Sequence, residues 1–348
     1  MTSPSMITDN HPMKDSNVAT DNFAEITYSE ALNQGLRQAM ELDDNVVVMG
    51  QLVDYSPGVF GTTCGLAEQF GAARVRDFPV AESAMTAAAI GASVVGMRPV
   101  LVHHRLDFML YSIDAIVNWM ALWRFKSNGT CSLPLVIRAI VGKGWGQGPQ
   151  HSKSLHSWFG HVPGLKVAMP ATAFDAKGLL LESIFGESPV IIIEHRSLFT
   201  MKDKVPKTPY RVKFGQAALR RQGNDVSIVA IGVMVPFAIR VAEQLALSGV
   251  HAEVVDLRTV SPLDTATVCK SVVKTRRLCV LDPAWKSFGM AAEVIASVVE
   301  HAGMSLRSPP LRVTHPDSHT PMSSALEAIY YPDEKAVVEQ LRSMVRSS

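Results

Sequence analysis

The chain has 348 residues with 33 basic and 32 acidic side chains, and this near-balance, without a long basic run, excludes a nucleic-acid groove or a membrane-surface patch. That length exceeds one ordinary core and predicts two globular units. Cys64, Cys131, Cys269 and Cys279 lie far apart without a CxxC pair, which suits reduced thiols in a cytoplasmic protein rather than a disulfide framework or a zinc site.

Residues 1–22 are polar, lack an apolar centre and carry few basic groups, so they predict a disordered tail rather than a signal or transit peptide. The segment "SEALNQGLRQAMELD" opens on a serine suited to cap a helix and spaces Leu32, Leu36 and Met40 by four, predicting an amphipathic surface helix. Short apolar, β-branched runs follow at 46–49, 99–103, 133–141, 166–169 and 189–195, alternating with longer helical patterns. Such alternation predicts parallel strands with crossover helices. The small-residue stretch "AMTAAAIGASVVGM" is 14 residues long, short of the roughly 20 that span a bilayer.

A polar, proline-containing stretch at 200–215 predicts an interdomain connection. Beyond it "DVSIVAIG", "AEVVDL" and "RLCVLD" read as strands, with helices near 234–248, 264–273, 288–302 and 334–346. The fold class is therefore α/β, two doubly wound domains, the second the smaller.

Several residues invite a chemical reading, and each has a plain one beside it. Glu82, in "DFPVAESAM", sits where a loop hands over to a helix, either as a functional acid or as a first-turn carboxylate favoured by the helix dipole. The loop "VGKGWGQGPQHS" places four glycines in seven residues after a strand, so it is either a backbone approach to a ligand or a flexible turn. It lacks GxxxxGK[ST], which excludes a phosphate cradle of that kind. His151, His156 and His161 recur every five residues, a spacing that matches no usual zinc site, and no metal ligands are predicted. His151 follows the glycine loop directly, where side chains tend to meet ligands. "HHR" at 103–105 ends a strand and either lines a pocket or is a polar strand end.

Together, "RVRDFPVAESAMTAAAIGASVVGMRPVL", "LPLVIRAIVGKGWGQGPQHSKSLHSWFGHVPGLKVAMPATAFDAKGLL", "PVIIIEHRSLF" and "VVDLRTVSPLD" resemble the beta subunit of the thiamine-diphosphate-dependent first component of 2-oxoacid dehydrogenase complexes. The resemblance implies a transketolase-like pyrimidine-binding domain over 23–200, a linker at 201–212 and a transketolase C-terminal-like domain over 213–348. It matches Glu82 to the glutamate that hydrogen-bonds the cofactor's aminopyrimidine ring and favours the tautomer that activates the thiazolium carbon. Phe108, in "RLDFML", matches the aromatic packed on that pyrimidine, and His151 the active-site histidine suited to proton transfer. His161 also matches a family position, with no chemical step assigned. The family holds the diphosphate and its Mg2+ with a GDG motif that this chain lacks, so the resemblance implies an alpha subunit in an α2β2 heterotetramer that supplies the other half of the site.

Three departures bear on function. Gln51, in "MGQLV", stands where the family commonly has a carboxylate that joins an acidic relay between active sites, and an amide cannot relay protons in that way. "HHRLDF" replaces a "DFMDF"-like region, so His103, His104 and Arg105 either select an anionic substrate or pair with nearby acids. Gly186 and Ser188 replace the Asp and Asn of the family's monovalent-cation loop, leaving backbone carbonyls as the candidate ligands for K+. Two activities follow from the resemblance. One decarboxylates a 2-oxoacid and acylates a lipoyl group, with docking on a lipoyl acyltransferase core. The other is a transketolase-like or acyloin-forming transferase that donates the fragment to an aldehyde in a biosynthetic pathway.

Overall fold

The structure, a computed structural model, describes residues 22–55, 59–144 and 146–347. The tail expected over 1–22 lies, except for Asn22, outside the described residues. The chain builds a seven-stranded sheet in the spatial order Thr259–Ser261, Lys166–Ala168, Val190–His195, Val136–Val141, Arg98–His103, Val46–Gly50 and Val75–Asp77. All its neighbouring pairs are parallel except the first, which is antiparallel. A five-stranded sheet follows in the order Leu311–His315, Leu278–Trp285, Val226–Ala230, Ala252–Asp256 and Ala218–Arg221, the last antiparallel.

Central strands such as Val136–Val141 and Val190–His195 are buried at every position. Helices cover both faces of a parallel sheet, so these strands read as largely apolar runs rather than alternating ones, broken by buried Arg138 and Glu194, which pair with each other at 2.5 and 2.8 Å. The helix Tyr28–Leu42 lies on one face, burying Leu32, Leu36 and Met40, each worth about 2 kcal/mol relative to exposure. Its cap is Thr27 rather than the serine expected from sequence: Thr27 accepts from the Glu30 N–H while the Glu30 carboxylate accepts from the Thr27 N–H. That reciprocal pair satisfies two orphan donors and outcompetes Ser29, which lies inside the first turn.

The two sheets share a core. Leu101, Ile137 and Val167 of the first belong to the same apolar cluster as Val229, Val255 and Val280 of the second. The strand Thr259–Ser261, from the C-terminal half, also pairs with Lys166–Ala168 in the first sheet. Polar ties reinforce the junction. Arg220 bridges Asp175 and Asp256, and Arg258 Nη2 meets Asp175 Oδ1 at 2.7 Å. Buried His156 holds Asp282 Oδ1 through Nε2 at 2.9 Å. Burial alone would raise the Asp282 carboxyl, but His156 and the N–H groups of Ala291 and Ala284 outweigh it and leave it below the ordinary range. The segment 200–215 contains the strand Lys202–Pro206, which pairs antiparallel with Phe23–Thr27.

Candidate active site

The strand Val46–Gly50 ends at a glycine with φ of +146°, where a side chain would collide with the carbonyl oxygen of Val102 on the neighbouring strand. Glycine therefore lets the chain turn sharply here, and Asp77 Oδ1 accepts from the Leu52 N–H to fix the turn. The turn delivers Gln51 to the start of the helix Glu82–Val94, where Gln51 Nε2 donates to Glu82 Oε1 at 3.1 Å. Both side chains are buried. Glu82 Oε2 receives no hydrogen bond from the described residues. A carboxylate in the first helical turn is favoured by the dipole, and the helix has no side-chain cap that would compete for its N–H groups.

The same helix packs against Arg98–His103 and the short helix Leu106–Met109. One turn beyond Glu82, Thr86 Oγ1 lies 3.1 Å from His103 Nε2 and donates to Ser112 Oγ at 2.9 Å. Burial pushes the pKa of His103 down to about 3, so the ring is neutral. His104 stacks on Phe60, with centroids 5.4 Å apart, and is also pushed below its ordinary range, by burial first and then by Arg105 and His151. Of the three residues in "HHR", only Arg105 brings a fixed charge.

Phe108 and His151, both half-buried, meet edge to face with ring centroids 5.3 Å apart. His151 Nδ1 is 3.3 Å from the Gln147 carbonyl oxygen, which can only accept, so in the neutral ring Nδ1 carries the proton and Nε2 is the base. The structure thus joins Phe108 to His151 and places Glu82 on the adjoining helix with Gln51 as its partner.

Sequence patterns did not point to what holds this arrangement. Lys153 Nζ lies 2.8 Å from buried Asp107 Oδ1, tying the segment after His151 to the helix that carries Phe108. Burial raises the Asp107 carboxyl, with Lys153 opposing. Gly144, Gly146 and Gly148 all have positive φ, of 85°, 68° and 60°, so the glycine loop requires glycine at each turn. Glu327 Oε1 accepts from the Gly144 N–H at 2.7 Å, and a side chain at Gly148 would run into Met322. A C-terminal segment therefore clasps the loop that ends at His151. A spacing rule could not reveal this contact, which joins residues 183 positions apart.

A cavity of about 1080 Å3 lies elsewhere, lined by Trp158, His161, Trp285, Phe288 and Met290. Glu82, Phe108 and His151 do not line it. Among the described residues, no group of three His, Cys, Asp or Glu side chains is placed to hold a metal ion. No helix among them is long and apolar enough to cross a membrane.

Comparison with known proteins agrees with this architecture. Residues 24–202 match the transketolase pyrimidine binding domain and residues 215–337 the transketolase C-terminal domain. The chain is 39% identical over 324 residues to the pyruvate dehydrogenase E1 component subunit beta of Bacillus subtilis (strain 168), covering 93% of this chain and 99% of the relative. It is also 39% identical over 326 residues to the acetoin:2,6-dichlorophenolindophenol oxidoreductase subunit beta of Cupriavidus necator, covering 91% and 96%. A split-gene transketolase described as an inactive beta4 tetramer shares the fold at a TM-score of 0.72 and 21% identity, over 93% of this chain and 99% of that one. The chain therefore belongs to the thiamine-diphosphate-dependent transketolase superfamily, in the group of beta subunits similar to that of the pyruvate dehydrogenase E1 component.

Proposed function

We propose that this chain is the beta subunit of a thiamine-diphosphate-dependent 2-oxoacid dehydrogenase that decarboxylates a 2-oxoacid with a separate alpha subunit in an α2β2 heterotetramer. The acyl group passes to a lipoyl group, with an acyltransferase core as the docking partner. In this reading residues 23–200 form the pyrimidine-binding domain, 201–212 a connector and 213–348 the C-terminal domain, in the cytoplasm.

The observation that carries the reading is the buried Glu82 carboxylate, held on Oε1 by Gln51 with Oε2 left to accept, on a helix packed against the one that carries Phe108. Glu82 would accept a hydrogen bond from the cofactor's aminopyrimidine, against which the Phe108 ring would pack. His151 would present Nε2 for proton transfer near the substrate. Bound thiamine diphosphate supplies the carbon–carbon bond chemistry. The diphosphate and Mg2+ are assigned to the alpha subunit, because this chain has no GDG motif. Potassium has no part in the proposal: the carbonyls of Ile184 and Gly186 already accept from Arg98 Nη1 at 3.1 and 3.0 Å.

The acceptor separates this reading from an acyloin-forming transferase that uses the same residues. Turnover of the assembled alpha/beta pair is measured with thiamine diphosphate, Mg2+ and a panel of 2-oxoacids, with and without a lipoyl domain and with aldehydes. Lipoyl acylation is expected, and carboligation without it moves the enzyme to the transferase class. Glu82→Gln is expected to lower turnover at least about 100-fold with an unchanged far-UV spectrum; near-normal activity in this variant sinks the assignment.

A further inference from the structure

Arg105 is 4% exposed, and its Nη1 has no hydrogen-bond partner among the described residues. Its backbone opens the helix Leu106–Met109, yet its side chain makes no capping bond. The acid that favours its charge, Asp107, is engaged with Lys153 and forms no ion pair with it among the described residues. A guanidinium stays protonated, so burial with an unanswered N–H calls for a negative partner.

The surroundings show where that partner would sit. The Arg105 and Arg196 guanidinium carbons lie 5.7 and 5.9 Å from the centre of the Phe60 ring, on which His104 stacks. Phe60 has φ of +50°, a left-handed conformation that costs energy for a non-glycine residue and collects at functional positions. Gly142 lies beside both side chains. Its φ does not require glycine, but a Cβ there would lie 3.2 Å from Arg196 Cβ and 3.8 Å from Arg105 Nη1, so any side chain here would press on Arg196 and approach the unpaired Nη1. Arg196 also donates to Gln147 Oε1 and to the Lys143 carbonyl, and so grips the loop that carries His151. Arg196 and His151 are therefore held by one set of bonds, through Gln147.

We propose that Arg105, with Arg196 beside it at Gly142, binds the distal anionic group of the substrate, a carboxylate or a phosphate, and sets the reacting carbon against His151. The inference rests on the function proposed above and narrows its substrates to those bearing a negative charge beyond the 2-oxoacid carboxylate. Planar guanidinium forks match both anions, and a phosphate, with more acceptor oxygens, spans two of them.

The test uses the alpha/beta holoenzyme saturated with thiamine diphosphate and Mg2+. Titration with inorganic phosphate, followed by calorimetry, is expected to show one site per beta chain, weakened at least tenfold in Arg105→Gln. Displacement by succinate identifies a carboxylate site, and its failure identifies a phosphate site. Kinetics with 2-oxoacids of matched length, ending in a methyl, a carboxylate or a phosphate, are expected to favour a charged member, with the preference in kcat/KM falling at least tenfold in Arg105→Gln. Gly142→Ala keeps both charges and crowds the two guanidinium side chains; the same loss is expected, and this variant decides if Arg105→Gln fails to assemble. Equal phosphate affinity in wild type and the deciding variant, or no binding to wild type, overturns the proposal. Arginine-dependent phosphate binding without any 2-oxoacid turnover overturns the proposed function instead and leaves the anion site standing.

Discussion

Replacing Gln51 by glutamate turns a hydrogen-bonded pair into two facing carboxylates. Gln51 Nε2 donates to Glu82 Oε1 at 3.1 Å, and the residues are 8% and 7% exposed, so water screens the new charge poorly. Two negative charges about 4 Å apart repel by about 4 kcal/mol at an effective dielectric constant of about 20. Retaining one proton removes that repulsion and supplies an O–H donor in place of the lost amide. Each pH unit above the ordinary carboxyl range costs about 1.4 kcal/mol for keeping it. The pair in Gln51→Glu is therefore singly protonated near neutral pH, the usual outcome for close carboxylates. Its folded state holds a proton that the unfolded chain releases above about pH 4.3, so stability is lost as pH rises. Relative to wild type the variant is expected to be nearly unaffected near pH 4 and destabilised by about 4 kcal/mol by pH 8. Urea unfolding of both chains at fixed pH values measures the difference. A difference that stays flat across this range refutes the close pairing of these side chains.

Two further perturbations address the frame around the site. Asp282→Ala removes the acceptor for His156 and for the Ala284 and Ala291 N–H groups; it is expected to cost about 3–5 kcal/mol, read as a fall in the calorimetric melting temperature, and an unchanged melting temperature contradicts a junction held by this carboxylate. Burial pushes His103 and His195 down to about 3, so both fold neutral while the unfolded chain protonates them below its ordinary histidine value. Stability is therefore fully present above about pH 6.5 and lost toward acid by about 1.4 kcal/mol per histidine per pH unit. Unfolding curves of His103→Gln between pH 6 and pH 4 are expected to show a slope shallower by one proton, and an unchanged slope refutes the buried neutral ring.

What sequence patterns could reveal follows from how far apart the cooperating residues lie. Val136–Val141 and Val190–His195 were legible because a parallel sheet covered on both faces requires largely apolar, β-branched strands. Thr259–Ser261 was not, since three residues acquire strand geometry only by pairing with Lys166–Ala168 from the other half of the chain. Ala218–Arg221, with "ALRR", lies half exposed at a sheet edge and offers no apolar run to read. The site divides in the same way. Glu82, Phe108 and His151 were picked out by resemblance to a family, whereas the Gln51 to Glu82 bond and the Glu327 clasp on Gly144 depend on long-range packing that a local pattern does not encode. Charge was the most misleading local reading. "HHR" looks like a basic cluster, but burial makes His103 neutral, lowers His104 and leaves Arg105 to carry the charge. The fold therefore concentrates an apparently diffuse positive patch into one buried guanidinium with an N–H unpaired among the described residues, and that concentration gives the proposed site a directional preference for an anion, which a solvated patch would lack.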